Sequence, residues 1–290
     1  MQASESITII GVGLLGGSLG LALRAAGFTG KLVGVGRRQE SLDEALRFRC
    51  IDEATCDLAE GVSRADMVVL ATPVGAYKRL CRTIAPALPD GAVVTDVGST
   101  KKQVVAVAET VLGPERFVGS HPMAGMENKG VAFARADLFE GARCILTPTD
   151  ATPAGLADRI ETLWQTVGMK TLRMTPDAHD RAVARVSHLP QILASLLMGL
   201  PADSDLAVAA SGFRDCTRLA GGDPEMWRDI LLTNPEPIAE TIDAMKAELD
   251  KLAALMAAGD ASGLESLFTA ARDRRRATIG QPTDHRVSAE

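Results

Sequence analysis

The sequence predicts an α/β domain followed by an all-helical domain. Three observations predict it. Short apolar runs bounded by glycines alternate with segments of helical periodicity through the first 176 residues. The first apolar run leads directly into Gly-x-Gly-x-x-Gly at Gly11, Gly13 and Gly16, and then into a helical pattern. Beyond Thr175-Pro176 the strand signal disappears and only helical patterns remain.

Ile7 to Ile10 reads as a buried parallel strand. In the loop that follows, the first glycine permits a tight turn. The second lets the backbone approach a pyrophosphate. The third lets the helix pack close to the strand, with its N-terminus facing the anion. Leu15, Leu19, Ala22, Leu23 and Ala26 then recur at helical spacing until Gly27, a C′ residue. The context is that of a Rossmann-type dinucleotide-binding domain, with Gly11, Gly13, Leu14, Leu15 and Gly16 at the cofactor. The alternative is an ordinary glycine-rich turn.

Lys31 to Gly36 is a second strand. About 20 residues past the glycines, dinucleotide folds place an acid that binds the adenosine ribose. Here that position is Gly36, followed by Arg37 and Arg38. No carboxylate would repel a 2′-phosphate, and guanidinium forks suit one. The expected cofactor is NADP, with NAD as the alternative; the two arginines would otherwise be solvated turn residues.

Ser41 to Phe48 is a helix, and Ala65 to Ala71 a buried strand ending at Thr72-Pro73-Val74. A helix follows through Tyr77, Leu80 and Ile84; proline near a helix start removes an N–H that would have been unpaired anyway. Ala92 to Asp96 is the next strand, ending in Val97-Gly98-Ser99-Thr100-Lys101, and Phe117 to Pro122 repeats the pattern. Open α/β sheets bind ligands at strand C-termini, so Thr72, Pro73 and Ser99 join the cofactor set. Cys144 to Thr147 and Thr171 to Met174 are the last strands, separated by a helix from Ala154 to Val167. Five helices complete the pattern: His179 to Leu200, Ser211 to Ala220, Glu225 to Leu232, Pro235 to Ala258 and Ser262 to Ile279. The expected division is residues 1–176, a helical domain at 177–280 and a polar tail at 281–290.

Bulk properties exclude several classes. The net charge of -6 argues against a general binder of nucleic acid or anionic membrane. No apolar run approaches the roughly 20 residues of a membrane span, and the glycine-broken N-terminus is not a signal peptide. The 5 cysteines are scattered without metal or redox spacing, so no metal site is expected and reduced thiols in a cytoplasm are.

The chemistry-bearing residues fall in three places. His121 stands at a strand end on the edge that carries the glycine loop. An imidazole there can take a proton as an alcohol carbon loses hydride; a structural histidine is the alternative. Ser99 and Lys101, one strand over, could orient the hydroxyl or the imidazole. His188 lies in Ser187-His-Leu-Pro-Gln191, where Pro190 leaves the carbonyl of Val186 without a donor, so the helix opens or kinks. The result is either a polar pocket or a packing kink. Arg214 and Arg218 are an i,i+4 pair that either hold a substrate carboxylate or join a surface network with Asp215 and Glu225. His179 reads as a capping or interdomain residue, and His285 as idle.

These residues resemble a known family, the prephenate/arogenate dehydrogenases of tyrosine biosynthesis. The resemblance runs from Gly11 to about Ala258. It rests on Gly-Val-Gly-Leu-Leu-Gly-Gly-Ser at 11–18, Ala-Thr-Pro-Val at 71–74, Asp-Val-Gly-Ser at 96–99 and Gly-Ser-His-Pro-Met-Ala-Gly at 119–125. It continues in His-Asp-Arg at 179–181, Ser-His-Leu-Pro at 187–190 and Gly-Phe-Arg-Asp-Cys-Thr-Arg at 212–218.

The resemblance implies oxidative decarboxylation of prephenate or arogenate, with hydride passing to a nicotinamide. It implies His121 as acceptor for the C4 hydroxyl, and Ser99 between hydroxyl and ribose. Arg218 would bind a substrate carboxylate, Ser187 and His188 would line the pocket, and Glu127 would stand at its mouth. It also implies a homodimer through the helical domain, with Arg214 and Asp215 reaching towards the partner's site. Many members read Ser-His-Leu-Pro-His, and Gln191 here departs from that next to the substrate side chain. Two other functions remain compatible with the glycine loop. One is a different NADP-dependent reductase of the β-hydroxyacid or imine type, and the other is a non-catalytic NADP sensor.

Overall fold

The computed structural model describes residues 5–126 and 128–279. Glu127 and the tail at 281–290 lie outside the described residues. The chain divides into two compact units, Met1–Ile238 and Ala239–Glu290. This division falls inside a long helix.

The first unit is built on one 8-stranded sheet. Its strands are β1 (Ser6–Ile10), β2 (Lys31–Val35), β3 (Glu53–Thr55), β4 (Met67–Leu70), β5 (Val93–Asp96), β6 (Phe117–Pro122), β7 (Arg143–Thr147) and β8 (Lys170–Arg173). The order is β3-β2-β1-β4-β5-β6-β7-β8. All neighbours are parallel except β6 and β7, which run antiparallel with His121 opposite Ile145. The first six strands therefore have the order 3-2-1-4-5-6, whose direction of winding reverses between β1 and β4.

Strand alternation divides the core between the two faces. Ile7, Ile9, Met67 and Val69 pack on one side with helices α1 (Leu14–Ala25), α2 (Gln39–Arg47) and, after the intervening elements, α6 (Ala154–Thr166). Ile10, Val68, Leu70 and Val94 pack on the other with α3 (Leu58–Val62), α4 (Tyr77–Ile84) and α5 (Lys102–Leu112). β3 and α3 have no counterpart in the sequence reading: they are too short for periodicity to register. Gly27, at φ 84°, ends α1, and Phe28 N–H returns to the Leu23 carbonyl at 2.9 Å, the expected C-terminal motif.

Past β8 the first unit is helical. It comprises α7 (Pro176–Val183), α8 (Leu189–Met198), α9 (Ser211–Thr217), α10 (Pro224–Thr233) and the start of α11 (Pro235–Ala258). The Thr175 hydroxyl caps α7, so the helix begins before His179. Between α7 and α8, Ala184–His188 is a π-helical turn. Pro190 supplies no N–H, and the widened turn immediately before it takes up the mismatch. α9 ends at Thr217, and Arg218 opens a 3-10 turn to Gly221. Arg214 and Arg218 are thus not two positions of one helix, as their spacing suggests.

The second unit holds the rest of α11 and α12 (Ala261–Ile279). Gly259, at φ 63°, lets the Asp260 N–H reach the Leu255 carbonyl at 3.0 Å, closing α11. No helix among the described residues is long and apolar enough to cross a membrane.

Candidate active site

The glycine loop stands at the winding reversal. Gly11 follows β1, and its N–H donates to the Val35 carbonyl of β2 at 2.8 Å. Gly11 has φ 99°, and a Cβ there would lie 2.6 Å from the Ala71 oxygen beyond β4. The loop and the Thr72-Pro73 turn therefore meet at one point. A Cβ on Gly16 would lie 2.2 Å from the Gly11 oxygen, so only glycine lets α1 rise this close to the strand. A Cβ on Gly13 would meet nothing within 4 Å. The loop backbone thus faces open space at the N-terminus of α1, with Leu14 and Leu15 partly buried beside it. This arrangement fits a dinucleotide pyrophosphate. At the end of β2, a Cβ on Gly36 would press on Leu42 at 3.1 Å, whereas Arg37 and Arg38 are exposed.

Two strands further along the same edge, a buried polar network surrounds His121. Asp96, at the end of β5, is fully buried. Its carboxylate accepts from the N–H of Gly98 at 2.7 Å and of Ser120 at 2.9 Å, and it pairs with the fully buried Lys101 ammonium. These bonds fix the 97–101 turn, including half-buried Ser99, against β6. The Lys101 side chain is committed to Asp96 rather than to an imidazole.

His121 is 7% exposed. Its Nδ1 lies 2.8 Å from Nε2 of His179, whose Nδ1 lies 2.7 Å from the Asp180 carboxylate. Sequence reasoning gave His179 a capping or interdomain role. Thr175 does the capping, and the fully buried His179 ring instead meets His121 across the expected boundary at 176. The His-Asp-Arg motif signalled importance, but not which ring it served.

Asn234 links this network to the helix opening. Its amide donates to the Asp180 carbonyl at 2.9 Å and lies 3.3 Å from His188 Nδ1. His188 is buried, edge-on to Trp227 at 5.9 Å between ring centres. Gln191 is buried one turn on, with its amide 3.4 Å from the Ser195 hydroxyl. Ser187 is half-buried, while Arg214 and Arg218 are exposed. Asp96, Asp180 and Asn234 were missed in the sequence because an acid or amide at a strand or helix end has many ordinary uses. Among the described residues no cluster of His, Cys, Asp and Glu has the form of a metal site.

Burial holds all three imidazoles neutral. Loss of water pushes His188 down to about 4 and lowers His179 against the pull of Asp180. Burial and the neighbouring His179 ring put His121 well below the ordinary histidine range. Between about pH 4 and pH 6.5 the unfolded chain therefore binds more protons than the folded one, and stability rises with pH. We expect stability to be lost as pH falls through this window, with His188 alone contributing about 3 kcal/mol. A melting temperature that stays flat from about pH 7 to pH 5 would contradict the assignment.

A glycine loop at a winding reversal, with a buried imidazole on the same edge, defines a nicotinamide-dependent dehydrogenase. Comparison with known proteins gives the particular kind. The family model described as "Prephenate dehydrogenase, nucleotide-binding domain" matches residues 19–173, and "Prephenate dehydrogenase, dimerization domain" matches residues 175–270. The chain is 36% identical to the prephenate dehydrogenase of Bacillus subtilis, over 94% of this chain and 76% of that protein. It is 32% identical to the cyclohexadienyl dehydrogenase of Zymomonas mobilis, over 99% of each. Among solved structures it is similar to the Aquifex aeolicus prephenate dehydrogenase in complex with hydroxyphenyl propionate and NAD+. That similarity has a TM-score of 0.89 and 35% identity, and covers 93% of this chain and 97% of that one. The chain belongs to the prephenate dehydrogenase family.

Proposed function

We propose that the protein converts prephenate or arogenate to the corresponding phenol, with NADP as the favoured cofactor. The observation that carries the reading is His121, a neutral buried imidazole at the edge shared with the glycine loop. The bound cofactor supplies the hydride acceptor. His121 takes the C4 hydroxyl proton as the C4–H bond gives up its electron pair. The dienone then loses the C1 carboxylate as CO₂. The bond electrons aromatise the ring, and the phenolic oxygen recovers a proton.

Ser99 orients the hydroxyl. Arg218 and Arg214 bind the substrate, with Arg218 holding a carboxylate. Ser187, His188 and Gln191 line the side-chain end; a glutamine can donate and accept, which suits either a keto or an amino acid. Arg37 and Arg38 hold the 2′-phosphate, and Gly36 offers no acid to repel it. The protein works in the cytoplasm as a homodimer of its helical regions. Exposed Leu200, Val208, Met256 and Phe268 support that pairing.

The test is a two-by-two assay of prephenate or arogenate with NAD or NADP. Turnover with NADP is expected. The Arg37→Ala, Arg38→Ala double variant should raise the KM for NADP at least about tenfold and leave that for NAD unchanged. Equal use of both cofactors, or an unchanged ratio in the double variant, overturns the cofactor reading. NADP binding with no turnover in any combination would favour the sensor.

A further inference from the structure

The reactive nitrogen of His121 must be bare when the substrate hydroxyl arrives. Neutral imidazole carries one proton, and which nitrogen holds it is set by the partner of the other. The partners here form a chain that begins at Asp180. Its Oδ1 accepts from the Lys101 N–H at 2.7 Å and its Oδ2 from the Lys102 N–H at 2.9 Å, at the N-terminus of α5. With both oxygens already accepting backbone N–H bonds, the carboxylate offers its neighbours only acceptor lone pairs. His179 Nδ1, 2.7 Å away, must therefore donate to it. A neutral His179 then has a bare Nε2, which accepts from His121 Nδ1 at 2.8 Å.

The geometry points to Asp180 and His179 as positioning residues that fix the tautomer of His121 and leave its Nε2 free as the acceptor. Each link forces the next, because each ring has a single proton to place. The same two bonds hold the plane of the His121 ring. When His121 takes the hydroxyl proton, its Nδ1–H remains on His179, and the new positive charge lies two hydrogen bonds from a carboxylate. This rests on the reading of His121 as the acceptor, but it is tested apart from turnover.

The experiment uses the full-length protein labelled with ¹⁵N-histidine, near neutral pH, with the His121 signals identified by their loss in His121→Asn. In the wild type, Nδ1 of His121 should carry the proton and Nε2 should be bare. His179→Leu, which fills the space but accepts no bond, should move that proton towards Nε2. It should also lower kcat about 10–100-fold with little change in the KM for substrate. His179→Gln, whose amide oxygen can accept where Nε2 did, should restore much of both.

A wild-type His121 protonated on Nε2 would overturn the relay, as would a His179→Leu enzyme with kcat within about twofold of wild type. If His179→Leu does not fold, the wild-type spectrum decides alone. The spectrum stands even if His121→Asn remains active, so failure of the relay and failure of the reading of His121 give different results.

Discussion

His121→Asn is expected to lower kcat by about 10²- to 10⁴-fold, the span usual for loss of a general base. Asparagine is chosen because its amide group occupies the region of Nδ1. It can still donate to His179 Nε2, where His121 Nδ1 stands at 2.8 Å. The buried network is kept, and what goes is the acceptor beyond it. The glycine loop is built from other strands, so NADP should bind as before, read by quenching of protein fluorescence. Loss of turnover with binding retained separates an enzyme from a sensor. Turnover that survives the substitution removes His121 from the mechanism.

The second large effect is on stability. Asp96→Ala leaves the fully buried Lys101 ammonium without its counter-charge. It also strips acceptors from the Gly98 and Ser120 N–H groups. Breaking a buried pair from one side costs about 3–5 kcal/mol, a large part of the 5–15 kcal/mol that ordinarily holds a domain together. Denaturant unfolding should show this as a lower midpoint. The Asp96→Asn, Lys101→Met double variant removes both charges and should recover part of the loss. A midpoint for Asp96→Ala equal to that of wild type would mean that the pair does not stabilise the fold.

The sheet was legible in the sequence because buried parallel strands are short apolar runs and the glycines mark where the first one turns. The order of the strands came from the structure. β3 left no trace, since three residues cannot display a period. The candidate site was legible at His121 and at the opening before Pro190, where an unusual residue interrupts a regular pattern. It was not legible at His179, Asp180 and Asn234. Their significance lies in which rings and amides they face, and those contacts span 46 to 79 positions of chain. Arg214 and Arg218 show the opposite error: i,i+4 spacing suggested one helix face, but the helix ends between them.

The π turn at Ala184–His188 has a consequence for how the enzyme can change. An α-helix advances about 100° per residue, so one extra residue in a turn rotates everything after it by that angle. His179 and Asp180 lie before the slip, and Gln191 lies after it. The buried His179–Asp180 pair and Gln191 thus lie in two helical segments set out of phase with each other. Deleting a single residue from the turn would restore α-helical register and rotate Gln191 by about 100° relative to His179 and Asp180. Side chains after the slip can therefore be re-aimed by re-indexing the second segment, with the His121–His179–Asp180 contacts left in register.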